Sequence, residues 1–151
     1  MKKTTILFGI LFGVLSCTSK KVFVEETGKK SESRNKVEII KFMGTITTQP
    51  HDVDEDIFWN FPDEHAKLII NDDGFIEDIK SLKSKDESHF LEYTYAFIVH
   101  KKNETDTLYS DSTLKTWILK KSNGQKEYFY DEKGITAENL RHSYSFFKDC
   151  W

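Results

Sequence analysis

Between Phe90 and Tyr130 the chain breaks into short β-branched or aromatic runs separated by turn sequences, and this punctuation confines it to an antiparallel sheet. From Phe90 to His100, Tyr93, Tyr95, Phe97 and Val99 share one parity while Glu92 and Thr94 begin the other, the two-residue period of a strand. Asn103 to Asp106 supplies a turn, and Leu108-Tyr109 opens the next run. Thr113 to Lys120 carries Leu114, Trp117, Ile118 and Leu119. Asn123-Gly124 then predicts a type I′ hairpin turn, which needs positive φ at both central residues, before Tyr128-Phe129-Tyr130 returns.

Upstream, Val37 to Thr47 is apolar at both parities, which predicts a strand covered on both faces. Asp52 to Glu64 is acidic with Ile57, Phe58, Trp59 and Phe61 embedded, the pattern of a short helix or a packed loop. Leu68-Ile69-Ile70, a turn at Asn71 to Gly74 and Phe75 onward have hairpin grammar, although Phe75, Ile76, Ile79 and Leu82 also fit a helix. After Gly134 the period changes. Thr136 is placed to cap a helix, and Leu140, Tyr144, Phe147 and Trp151 form one apolar stripe along it. No internal repeat stands out. The expected fold class is α+β, an antiparallel β meander with a C-terminal packing helix.

The amino terminus has a different grammar. Met1 is followed by Lys2-Lys3, a mostly apolar run from Thr4 to Leu15, and Val14-Leu15-Ser16-Cys17. The run is shorter than the roughly 20 residues that span a bilayer, and it has the form of a secretory signal. A cysteine directly after a small residue resembles the lipobox of bacterial lipoproteins. The resemblance implies a diacylglyceryl group on the Cys17 sulfur, cleavage before it and acylation of the new amino terminus, for which palmitate is the expected chain. The chain then divides into a signal peptide over residues 1–16, a flexible tether over 17–36 and a single globular α+β domain over 37–151. Several acyl chains make a stable anchor, so the expected location is the bacterial cell envelope, bound to the membrane through lipid on Cys17. Thr18 stands where an aspartate would favour inner-membrane retention, which points to the outer membrane.

The formal charge of −3 becomes −5 once Lys2 and Lys3 are removed with the signal. An acidic, exported chain is poorly suited to nucleic acid, whose binding is dominated by phosphate neutralisation. With Cys17 lipidated, Cys150 is the remaining thiol, so no intramolecular disulfide forms and the fold rests on its core.

Tests for catalytic grammar nominate no residue. Asp52, Asp54 and Asp56 alternate as at the start of a calcium loop, but Ile57 and Asp63 stand where glycine and a bidentate glutamate belong. The histidines His51, His65, His89, His100 and His142 show no i, i+4 pair, so no metal site is expected. His142 and Cys150 are eight residues apart, about 12 Å along a helix, against the roughly 3 Å of proton transfer. A G-x-S-x-G elbow is absent, as are the glycine loops that cradle nucleotides. No cofactor is implied. Aromatic density is the remaining signal: Trp59, Tyr93, Tyr95 and Tyr130 are the candidates for a binding surface. The expected function is a non-enzymatic protein-binding or structural domain with an envelope protein partner. A glycan-binding module using exposed aromatics and a small periplasmic hydrolase are the alternatives.

Overall fold

Eight strands form one sheet in the computed structural model, which describes residues 23–25, 35–44, 53–86 and 90–148. In chain order they are β1 (Phe23–Glu25), β2 (Lys36–Phe42), β3 (His65–Ile70), β4 (Lys83–Lys85), β5 (Tyr95–His100), β6 (Thr105–Ser110), β7 (Thr116–Lys120) and β8 (Lys126–Tyr130). Three helices accompany them: α1 (Glu55–Asn60), α2 (Gly74–Lys80) and α3 (Ile135–Ser143). The spatial order is β1-β3-β2-β5-β6-β7-β8-β4, with β1 parallel to β3 and the remaining pairs antiparallel. The architecture is therefore α+β, built mainly from an antiparallel sheet. The meander holds for β5 to β8; β2–β3 adds a hairpin-like pair on one side and β4 closes the other edge. Phe23–Glu25 joins the sheet from within the stretch read as a tether, while Cys17 and the segment that resembles a lipobox lie outside the described residues.

Alternation along the strands divides the core in two. One face carries Val37 and Ile39, Leu68 and Ile70, Tyr95, Phe97 and Val99, with Leu108, Trp117 and Phe129. It is covered by Ile76 and Ile79 of α2, Ala137 and Leu140 of α3, and Phe147 from a short 3-10 turn at Ser145–Phe147. Phe97 is its centre, with the rings of Phe75, Tyr95, Trp117 and Phe147 all within 6.3 Å between centroids. The opposite face gathers Ile40, Phe42, Ala96, Tyr109 and Ile118 under Phe58 of α1.

Several local expectations are corrected. Of the two readings left open for Phe75 onward, the helix is the one found, as α2, because its apolar residues Ile76 and Ile79 are buried at helical spacing. The apolar stripe at the end does not run along one helix: α3 stops at Ser143, and Tyr144 is extended at φ −133°. Leu140 and Phe147 still enter the core, the second through the 3-10 turn, while Cys150 and Trp151 lie outside the described residues. Thr136 does not cap α3. The Asp131 carboxylate does so, accepting from the N–H groups of Gly134 at 2.9 Å and Thr136 at 2.7 Å.

The turns repeat although the residues do not. Asp111, Lys121 and Asp131 stand ten residues apart, and each carbonyl accepts from the N–H three residues on, at 3.1, 2.9 and 3.1 Å. The fourth residue has positive φ every time: Leu114 at 60°, Gly124 at 84° and Gly134 at 67°. Asn123-Gly124 is thus a turn with one left-handed residue, not the type I′ turn with two. The Asn123 side-chain oxygen accepts from Gln125 N–H at 2.9 Å, so Asn123 closes the loop without entering the left-handed region itself. Leu114 has no glycine's freedom, and its conformation costs roughly 1–2 kcal/mol. Its side chain is fully buried, which returns about 1.5–3 kcal/mol. Burial wins, narrowly.

The assignment of the α3 cap is testable by urea denaturation. Asp131→Ala leaves the Thr136 N–H unpartnered, while the Gly134 N–H keeps the Asp131 carbonyl, and it lowers unfolding free energy by about 1–3 kcal/mol, more than Thr136→Ala does. The reverse order contradicts it.

Candidate functional site

α1 crosses the second face of the sheet, and three contacts hold it there. Asp54 caps its start, accepting from Ile57 N–H at 2.7 Å. In the middle, the fully buried Phe58 ring packs 6.2 Å from Phe42 and 6.3 Å from Tyr109. The Phe58 carbonyl receives the Nε2–H of the buried His65 at 2.7 Å, which fixes the proton on that nitrogen because a carbonyl only accepts. At the amino-terminal end Glu55 reaches over β7 and β8, pairing with Lys120 and, at 3.0 Å, with Lys126. The Tyr109 hydroxyl donates to Glu55 at 2.9 Å and accepts from Trp59 Nε1–H at 3.1 Å. Lys126 also lies 3.5 Å from the Tyr93 hydroxyl.

Trp59 and Tyr93 of this cluster are sequence candidates; Glu55, Tyr109, Lys120 and Lys126 are not, yet one signal for them is local. The hairpin closed over residues 121–125 sets Lys120 directly opposite Lys126. Like charges opposed across strands are destabilising, so that pair requires a carboxylate from elsewhere. Glu55 supplies it from 65 and 71 residues away.

Every shift in the cluster moves away from neutral pH. Burial raises the Glu55 carboxyl, but hydrogen bonds from Lys120, Lys126 and Tyr109 outweigh it and leave the group below 4.5. Burial pushes the Tyr109 phenol far up, and it likewise raises Tyr93. Burial lowers Lys126, yet its bond to Glu55 and the field of Tyr93 leave it above 10.5. A general acid or base works best with a pKa near the operating pH. These groups hold their charges fixed, as a clamp.

Beside the clamp lies a cleft of about 140 Å³, open to solvent on one side. Phe90, Tyr93 and Tyr128 line it with Ile118, and Val53 and Asp54 form the rim on the α1 side. The sequence candidates fall in different places. Tyr93 leaves the row it was expected to share with Tyr95, because its N–H donates to the Val53 carbonyl at 2.8 Å and its ring packs 5.0 Å from Tyr109 on the second face. Tyr95 is 1 % exposed and belongs to the helix-covered core. Trp59 is 37 % exposed, its ring meeting Tyr109 at 74°. Tyr130 lies at the far edge, under the Lys85 ammonium at 5.7 Å, and lines a broader groove of about 450 Å³ between α2 and α3. The rings around Tyr109 meet edge to face, so these residues make no coplanar row. Cys17 lies outside the described residues. No family model matches the chain, and neither does a curated protein or a solved structure.

The clamp gives a pH-dependent stability of known sign. Glu55 titrates lower in the folded chain than its ordinary 4.5, so it stabilises the fold above that value, and the contribution is lost as pH falls through the depressed one. Thermal melting of Glu55→Gln is expected to show a shallower fall in Tm than the parent between pH 5 and about pH 2. Parallel curves contradict the clamp.

Proposed function

We propose that the chain is a lipid-anchored protein of the bacterial cell envelope whose domain binds a protein partner without catalysis. The anchor reading rests on Val14-Leu15-Ser16-Cys17 at the end of an apolar run. Thr18 after the cysteine favours the outer membrane. The observation that carries the binding reading is an exposed apolar surface at the carboxyl end of α1. Met43 is 56 % exposed and Phe61 53 % exposed, with Trp59 nearby in the chain. The backbone joins them: Met43 N–H donates to the Glu64 carbonyl at 2.8 Å, and Glu64 N–H donates to the Phe61 carbonyl at 3.0 Å. Large apolar side chains held at the surface by ordered backbone are what a partner's surface buries, and tryptophan is prominent among the residues that carry such binding energy. The fixed charges of the neighbouring clamp support recognition over proton transfer. The meander β5 to β8 with α3 packed on its back serves as the rigid scaffold for this face.

Two experiments test the two halves separately. Cys17→Ala is expected to abolish labelling by a radioactive fatty acid and to release the protein from the membrane fraction; continued labelling refutes the anchor. Affinity capture of the full-length protein from envelope extract is expected to enrich a specific protein. Met43→Ser with Phe61→Ser, which alters exposed side chains alone, is expected to reduce that capture at least tenfold. Equal capture by parent and variant removes this surface from the account.

A further inference from the structure

The cleft beside Glu55 has a chemistry of its own. Its volume of about 140 Å³ is well below the roughly 300 Å³ at which sites for drug-sized molecules begin, so it holds one long side chain and little more. Three of its lining groups are aromatic. Phe90 and Tyr93 meet at 67° with centroids 4.8 Å apart, which makes a corner and not a flat platform. Tyr128 adds a third ring, and Ile118 beside it gives an apolar lining for a methylene stem.

The charge around it is equally particular. Asp54 lines the rim, one of its oxygens engaged by Ile57 N–H and its side chain exposed. Asp56 follows on the same helix, and Glu92 stands between the lining residues Leu91 and Tyr93. Two cations come near, Lys120 and Lys126, and both are joined to Glu55. Aromatic rings attract a cation placed within about 6 Å of the ring centre, and a rim carboxylate adds a charge-assisted hydrogen bond. A neutral apolar group would gain the walls but no bond to the Asp54 oxygen that Ile57 N–H does not engage.

We propose that this cleft receives a single basic side chain, lysine or arginine, presented by the protein partner. This rests on the protein-binding reading above and names the chemistry that reading leaves open. The cleft selects for positive charge through Asp54 and the three rings together, and its volume of about 140 Å³ limits it to one side chain.

The test is a titration followed by magnetic resonance, using the mature protein in detergent micelles with labelled phenylalanine and tyrosine rings. N-acetyl-lysine amide and N-acetyl-arginine amide are the probes, and N-acetyl-norleucine amide is the neutral control. Saturable shifts of Phe90, Tyr93 and Tyr128 are expected with either basic amide, with affinity at least tenfold above that of the control. Asp54→Asn keeps a good helix cap and is expected to lower the basic probes' affinity about fivefold. Equal response to all three amides overturns the proposal, as does no response, and so does an Asp54→Asn variant that binds like the parent. Partner capture through Met43 and Phe61 is read separately. Retained capture with a silent titration therefore removes the basic-side-chain proposal and leaves the binding reading standing.

Discussion

Glu55 holds the second face of this protein together. A helix of six residues has too few internal hydrogen bonds to stand alone, so α1 depends on what fastens it. Phe58 fastens its middle by burial, and His65 holds the Phe58 carbonyl. Glu55 fastens the start, and it does so by resolving a conflict that the sheet would otherwise contain, since β7 and β8 place two lysines face to face. The cleft follows from this arrangement. Val53 and Asp54, which line it with Ile118 and Tyr128, directly precede Glu55, which pairs with the neighbouring lysines.

The two faces of the sheet consequently do different work. The face under α2 and α3 is dry and centred on Phe97, whose ring is surrounded by other rings and whose backbone lies in the middle strands. It supplies most of the burial and therefore most of the stability. The face under α1 mixes rings with fixed charges and leaves apolar groups in solvent at Met43 and Phe61. The four groups of this face whose titration is displaced, Glu55, Tyr93, Tyr109 and Lys126, all move away from neutrality.

The strands were legible wherever alternation and turn chemistry agreed, as in β6, β7 and β8. Where the local pattern misled or left two readings open, contacts outside the pattern decided. Tyr93 has the parity of Tyr95 but not its face, because the Val53 carbonyl takes its N–H and Tyr109 takes its ring. Thr136 has the right chemistry for a cap, yet Asp131 already stood on a turn whose geometry aimed its carboxylate at the same donors. Phe75 to Leu82 fitted two periods, and α2 won because its apolar side chains had a covered face of the sheet to meet. The ten-residue recurrence of turns was hidden by its residues, since Asp-Ser-Thr-Leu, Lys-Ser-Asn-Gly and Asp-Glu-Lys-Gly share a backbone but have no position at which all three carry the same residue. Of the site, the aromatic residues Trp59 and Tyr93 and the opposed lysines left a mark in sequence. Glu55 is one acid among 25 acidic residues and carries no local sign of its role.

The account turns on whether Glu55 is a fixed charge, and its side-chain carboxyl carbon reports this directly. A carbon-13 titration of the full-length protein is predicted to show that resonance titrating below 4.5, with the value rising toward the ordinary one when Lys126 is replaced by methionine. A midpoint near neutrality, between about pH 6 and 7, where a general acid or base operates, would contradict it and return the cluster to the list of catalytic candidates.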